Sequence, residues 1–487
     1  MNDMFAEARG KIQAELAKGA IPSLALAVAR DGEILWEEGF GWADRAKRAP
    51  ATPHTAYCLA SVSKPLTATG LMKLVETGKI DLDAPINRYL HPDSPLKVWV
   101  GDPEQATVRR VANHTSGLPL HANFYCPGDR VGRPPMEETI RRYGNLVTAP
   151  GERYRYSNIG YGILEHLIER VSGMSCDAFL RREIFLPLGM TRSAAALSPE
   201  MEPYAAVRYG EEGRPIVGEE TDHGGASSFY SSARDLAVFG MFHLKQPLPG
   251  RTAPLSNETL DAMHTPTASM ASPNPSDLNL RGGSKYGVGW VVDEDGTDQR
   301  ISHGGGMGGC ASKILLLPEH GVVVAVVSNL FNPFAYTIED DILSPLLPGH
   351  AEKLAARRAE RRDAQPESEP AFQPSAELMG DWRGSVRTHE GDEPVTLSFK
   401  PSGEVHAKIG IQPTALVNEP RLKNGWLTGT MAGNVFTADT NRKPRHPFHH
   451  IKLDLRYRGD RINGALIAVA GCELNHWVEL KREAGEE

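Results

Sequence analysis

Two apolar runs do most to limit what this chain can fold into. SLALAVAR occupies residues 23–30, and CASKILLLPEHGVVVAVVSNL occupies residues 310–330. Both have strand character and are interrupted or bounded by turn residues. The first run passes through Asp31-Gly32 into EILWEEGFGWAD, and a two-residue Asp-Gly link between apolar runs predicts a hairpin. The second contains Pro318-Glu319-His320-Gly321, which predicts two strands joined by a turn. Between the runs the periodicity is helical, in TATGLMKLVETG (67–78) and IGYGILEHLIERVSG (159–173), with Gly- and Pro-rich loops. FAYTIEDDILSPLL (334–347) reads as a closing helix. The economical packing is one antiparallel sheet drawn from both ends of this region, with helices on its faces: an α+β domain over residues 1–347.

Past that point the pattern changes. EKLAARRAERRDAQPESEPAFQPSAE starts as a charged, Ala-rich helix and ends Pro-rich and acidic, which predicts a linker at 348–372. Residues 373–487 alternate in short runs, and Ile451, Leu453, Leu455 and Tyr457 fall on one face of a strand. Such spacing predicts an all-β antiparallel barrel, with a sandwich as the alternative. A length of 487 residues suits two domains. The net charge of −8 argues against sequence-independent nucleic-acid binding, which needs basic surface. The five cysteines form no C-x-x-C pair and read as free thiols in a reducing compartment. The polar N-terminus lacks the apolar core of a signal peptide, and no run is long enough to span a bilayer, so the expected location is cytoplasmic.

Three segments carry candidate chemistry. In CLASVSKPLTATG, Ser61 and Lys64 stand three apart at the start of a helical pattern, so both side chains share a face. An unprotonated amine there can take the serine proton, and burial lowers a lysine's pKa enough to permit it. The same spacing also describes a helix-capping serine and a solvated lysine. In PGERYRYSNIGYG, Tyr156 can relay a proton and the Asn158 amide can donate and accept; taken alone, the pair is as well a packing Tyr and a loop Asn. In ISHGGGMGGCAS, His303 adjoins Gly304, Gly305 and Gly306, which let a substrate backbone approach. Alone, this is as well a glycine turn.

Taken together and in this order, SVSK, YSN and HGG resemble the three motifs of the class C β-lactamase and penicillin-binding-protein-like serine hydrolases. NHTSGLP (113–119), SSARDLAVF (231–239) and YGVGW (286–290) are similar to that family too, over roughly residues 5–345. The resemblance implies a serine hydrolase working through an acyl-enzyme. It implies Ser61 as nucleophile, Lys64 and Tyr156 sharing the general-base duty, Asn158 holding the substrate amide, and His303 assisting near Tyr156. The oxyanion hole would be the N–H groups of Ser61 and Gly306, beside Gly304 and Gly305. A histidine in the third motif, where the β-lactamases carry lysine, resembles the D-aminopeptidase and esterase branch. It also implies titration near an unperturbed histidine pKa of about 6.5.

Gly380-Asp381-Trp382 resembles the G-x-W entry of lipocalin-like barrels, which are appended to some D-aminopeptidases of the family. Loop 430–450 would then border the active-site mouth, with Arg442, Lys443 and Arg445 available to a substrate carboxylate or simply solvated. His446, His449 and His450 match no standard metal spacing, so neither metal nor cofactor is expected. The expected activity is hydrolysis of a small amide or ester, foremost as a D-aminopeptidase or D-amino-acid amidase. A carboxylesterase or acyltransferase comes next, then a β-lactamase or a penicillin-binding sensor without turnover. The expected partner is a small-molecule substrate, with neither nucleic acid nor membrane, and a homo-oligomer is compatible with the sequence.

Overall fold

The computed structural model describes residues 3–129, 131–210, 212–270, 284–295, 298–363, 371–440 and 449–483. After helix α1 (Ala6–Ala17), strands β1 (Ser23–Arg30) and β2 (Glu33–Asp44) form the expected hairpin. Asp31 and Gly32 have φ of 54° and 88°, the left-handed pair a two-residue turn demands. Helices α2 (Ser63–Glu76), α3 (Asn158–Ser172) and α4 (Ala233–His243) follow. Strands β3 (Val291–Asp295), β4 (Asp298–Met307), β5 (Cys310–Leu317) and β6 (Val322–Ser328) then complete the sheet.

β1 returns to pair with β6, Leu24 opposite Ser328 and Arg30 opposite Val322. The two ends of the region therefore meet in the middle of one nine-stranded antiparallel sheet. The alternation within SLALAVAR explains its two covers. Leu24, Leu26 and Val28 face α1 and helix α5 (Phe334–Leu343), while Ala25, Ala27 and Ala29 face the helical lobe. Small side chains on that second face let α4 lie close: a Cβ on Gly240 would stand 2.4 Å from Val323. Helix α6 (His350–Asp363) opens the segment expected to be a linker.

The C-terminal region is a nearly closed nine-stranded antiparallel barrel. Its strands are β7 (Gly380–Arg387), β8 (Asp392–Phe399), β9 (Val405–Ile409), β10 (Ala415–Leu416), β11 (Asn418–Lys423), β12 (Trp426–Ala432), β13 (His450–Tyr457), β14 (Arg461–Val469) and β15 (Glu473–Arg482). β7 pairs with β15, joining first strand to last, and the remaining edges are the consecutive β10 and β11. The interior is filled by Trp382, Leu397, Phe399, Leu427 and the Ile451, Leu453, Leu455 row, with Tyr457 packed on it. Trp382 is fully buried and donates its indole N–H to Leu378 O at 2.8 Å.

The barrel packs against the helical lobe through its β13–β15 face. Trp477 stacks on Trp99, with Val147 and Ile467 beside them. Ala122 and Glu473 exchange backbone hydrogen bonds of 2.9 and 2.7 Å. Tyr143 donates to Asp439 at 2.6 Å.

Candidate active site

Ser61 sits in a single 3-10 turn (Ala60–Val62) that feeds directly into α2. Ala60, just before it, has φ 44°, a left-handed conformation costly for a residue with a Cβ. Pro65 lies in the first turn of α2, where a missing N–H forfeits no helical bond. Ser63 points away and its hydroxyl accepts from Phe229 N at 3.1 Å. That leaves Ser61, half-buried, facing Lys64.

Lys64 is completely buried. Its Nζ lies 3.2 Å from Ser61 Oγ, 2.9 Å from Asn158 Oδ1 and 3.1 Å from Ala226 O. Burial pushes its pKa well below the usual lysine range, because a dry interior penalises the ammonium. A neutral amine has two N–H bonds and one lone pair. The two carbonyl oxygens, of Asn158 and Ala226, accept the hydrogens, so the lone pair is left for the Ser61 hydroxyl. The Tyr156 ring lies 4.5 Å from Nζ, and its hydroxyl hydrogen-bonds Ser61. Burial raises the Tyr156 phenol above its ordinary value, so it stays protonated.

Asn158 is the first residue of α3, capped by Ser157, whose hydroxyl accepts from Gly160 N at 3.0 Å. The Asn158 carbonyl is engaged by Lys64, and one amide N–H goes to His121 O at 3.1 Å. One amide hydrogen remains.

β3 stops pairing with β4 at Ser302, so residues 303–307 present an open backbone edge on that side among the described residues. Gly305 packs beneath the nucleophile: a Cβ there would lie 2.1 Å from Leu59 O and 2.9 Å from Ser61 N. Tyr336 donates to Gly305 O at 2.5 Å, and a Cβ on Gly306 would meet the same hydroxyl at 2.7 Å. Gly305 thus lets two backbones approach closely, and Gly306 makes room for the side chains of Tyr336 and Phe331. A cavity of about 910 Å³ adjoins this region through Cys58, Ser227, Tyr230 and Met307, with the Arg208–Glu219 ion pair also on its wall.

The expectation for His303 needs correction. Its Nδ1 lies 2.8 Å from Gly304 O, which can only accept, so Nδ1 carries the hydrogen. Nε2 then accepts from Tyr286 Oη at 3.0 Å. Burial pushes His303 down to about 3, so the ring is neutral at ordinary pH and cannot titrate near 6.5. Periodicity and spacing do not reveal depth, which is why the sequence suggested otherwise. Reading by motif also passed over Tyr286 and His114. His114 accepts from Ser157 N at 3.1 Å and lies among the rings of Tyr154, Tyr156, Tyr161 and Tyr286. Both residues lay inside NHTSGLP and YGVGW, so the signal was present without a role. Arg442, Lys443, Arg445 and His446 lie outside the described residues; His449 and His450 are half-buried at the start of β13.

Comparison with known proteins gives the family and the fold. A family model described as Beta-lactamase matches residues 8–345. Penicillin-binding protein 4* of Bacillus subtilis (strain 168) is 29% identical over 323 residues, 62% of this chain and 66% of that protein. The chain thus spans just under two thirds of that curated relative. Two solved structures match nearly end to end. The octameric penicillin-binding protein homologue from Pyrococcus abyssi has TM-score 0.57 and 23% identity, covering 99% of this chain and 100% of that one. SurE solved with D-Leu has TM-score 0.62 and 20% identity, covering 98% and 100%. At such identity these two establish the fold.

Proposed function

The chain belongs to the β-lactamase family of serine hydrolases, and from that premise we propose that it hydrolyses small amides whose acyl part is a D-amino acid, through acylation of Ser61. The observation that carries the mechanism is the Lys64 amine, fully buried and 3.2 Å from Ser61 Oγ. Lys64 takes the hydroxyl proton as Oγ bonds to the substrate carbonyl carbon. The oxyanion forms against the N–H groups of Ser61 and Gly306. The proton passes from Lys64, by way of the Tyr156 hydroxyl, to the departing amine as the C–N bond breaks. Water then attacks the acyl-enzyme by the reverse route and regenerates Ser61. Asn158 orients Lys64 and offers its remaining amide N–H to the substrate. His303, neutral, holds the open β4 edge where Gly304, Gly305 and Gly306 receive the substrate backbone.

Support for a D-configured substrate comes from histidine in the third motif and from the full-length likeness to SurE, which was solved with D-Leu. The filled barrel interior disfavours a sensor that stores an apolar ligand there. The reading extends to domains at 1–347 and 373–487 joined by 348–372, and to a cytoplasmic homo-oligomer, as the Pyrococcus abyssi homologue is octameric. Among the described residues no helix is long and apolar enough to cross a membrane.

The test compares D-Ala and L-Ala p-nitroanilides, p-nitrophenyl butyrate and a chromogenic cephalosporin, with Ser61→Ala as control. A D-anilide preference lost in the control is the expected result. Turnover of the butyrate alone makes the protein a carboxylesterase or acyltransferase. Cephalosporin turnover makes it a β-lactamase, and stoichiometric acylation without turnover makes it a sensor.

A further inference from the structure

We infer that Asp454, on the barrel, is a positioning residue for the Tyr156–Asn158 turn, so that the barrel is a structural part of the catalytic site. The inference rests on the reading of Tyr156 and Asn158 as working parts of that site.

The stretch Arg153-Tyr154-Arg155-Tyr156 alternates charge and ring, and its contacts sort by the same alternation. Tyr154 and Tyr156 pack toward Tyr286 on the catalytic side. Arg153 and Arg155 turn the other way, and both guanidinium groups meet the single carboxylate of Asp454 on β13. All three side chains are at least nine-tenths buried. Arg155 also donates to Asn475 Oδ1 on β15 at 3.0 Å. The Arg153 guanidinium lies 3.7 Å from the ring centre of Trp426, another barrel residue. The residue immediately before Tyr156 is therefore held by two barrel strands.

The far side of the turn is gripped independently. Asn158 donates its backbone N–H to Leu120 O at 2.7 Å and its amide to His121 O at 3.1 Å. The next residue, Ala122, is bonded in both directions to Glu473 at the start of β15. Both strips of backbone that fix Tyr156 and Asn158 thus end on the same barrel face. Arg155 N donates to His114 O at 2.7 Å, which ties the first strip to the aromatic cluster around the lysine.

Both buried guanidinium groups meet this one carboxylate, so its removal takes away a counter-charge that they share. They would separate, and Tyr156 is one peptide from Arg155. A displacement of about 1 Å at a catalytic group costs on the order of a hundredfold in rate.

The experiment measures acylation by p-nitrophenyl butyrate in Asp454→Asn, beside thermal unfolding of the same variant. The expected result is a kcat lowered about ten- to a hundredfold with KM little changed, and most of the loss recovered in Asp454→Glu. Leu397→Ala, in the barrel core away from this face, is the stability control and keeps its kcat. An Asp454→Asn protein that unfolds earlier but retains wild-type kcat overturns the inference. Should that variant not fold, Asn475→Ala removes only one hydrogen bond to Arg155; a lowered kcat supports the inference and an unchanged one overturns it. Tyr156→Phe separates the two levels: full activity there refutes the reading of the site itself, whereas its loss alongside an unaffected Asp454→Asn refutes only the role of the barrel.

Discussion

Lys64→Met tests the central claim twice, once in activity and once in stability. Methionine keeps the length and bulk of the side chain but removes the base. Loss of a positioned general base costs about 10²–10⁴-fold in acylation, or roughly 2.7–5.4 kcal/mol. Stability follows from the same burial. Holding the amine neutral against an unfolded pKa near 10.4 costs about 1.4 kcal/mol for each pH unit below that value at which it stays neutral. Methionine removes that cost but strips Asn158 Oδ1 and Ala226 O of their donor, at about 1–3 kcal/mol each. The two effects nearly cancel, so the variant unfolds close to wild type at pH 7. The sign of the pH dependence is fixed by which state binds the proton. Because the folded pKa is depressed, the unfolded chain binds one more proton between that value and about 10.4, so wild type gains stability as pH rises through this window. Methionine has no such term. Between pH 7 and pH 9 the variant should therefore lose stability relative to wild type, by up to about 1.4 kcal/mol per unit. Urea unfolding at the two pH values measures this, and stopped-flow acylation by p-nitrophenyl butyrate measures the activity. A stability difference that does not change with pH would mean that Lys64 is charged when folded and has no lone pair to offer Ser61.

Three further outcomes follow from the geometry. Gly305→Ala places a Cβ against Leu59 O and Ser61 N, backbone that cannot yield without moving the nucleophile, and should lower kcat by about a hundredfold with the far-UV spectrum unchanged. His303→Gln should leave the acid limb of the kcat/KM profile in place, since His303 is already neutral above about 3; a shifted limb contradicts its assignment as a Tyr286-bound neutral ring. Trp382→Ala should destabilise by about 3–5 kcal/mol in urea melts, because the indole is fully buried and hydrogen-bonded; a much smaller change would indicate that the barrel interior re-packs.

Much of the fold is legible where the cause is local. The Asp31–Gly32 hairpin follows from two residues that tolerate left-handed backbone, and the β5–β6 pair from the Gly321 turn. The inward row of Ile451, Leu453 and Leu455 is period-two alternation in a strand. Less of the site could be read so. Three motifs name Ser61, Lys64, Tyr156, Asn158 and His303, and the fold brings all five to one place. Their protonation states and partners involve residues far away in the chain. Ala226 lies 162 positions from the lysine it binds. Asp454 lies 299 positions from Arg155.

The sequence by itself therefore determined the family and the two kinds of architecture, and it singled out the residues proposed for the chemistry, because each rests on short spacing or local periodicity. Tertiary structure decided that Lys64 is dry, that Asn158 accepts from the lysine and donates to His121 O, and that His303 is bound to Tyr286 and neutral. It also brought the barrel against the back of the Tyr156 turn. The physical reason is that a pKa and a hydrogen-bond partner depend on which distant segments exclude water from a group, and burial depth is not written in the spacing of neighbours along the chain.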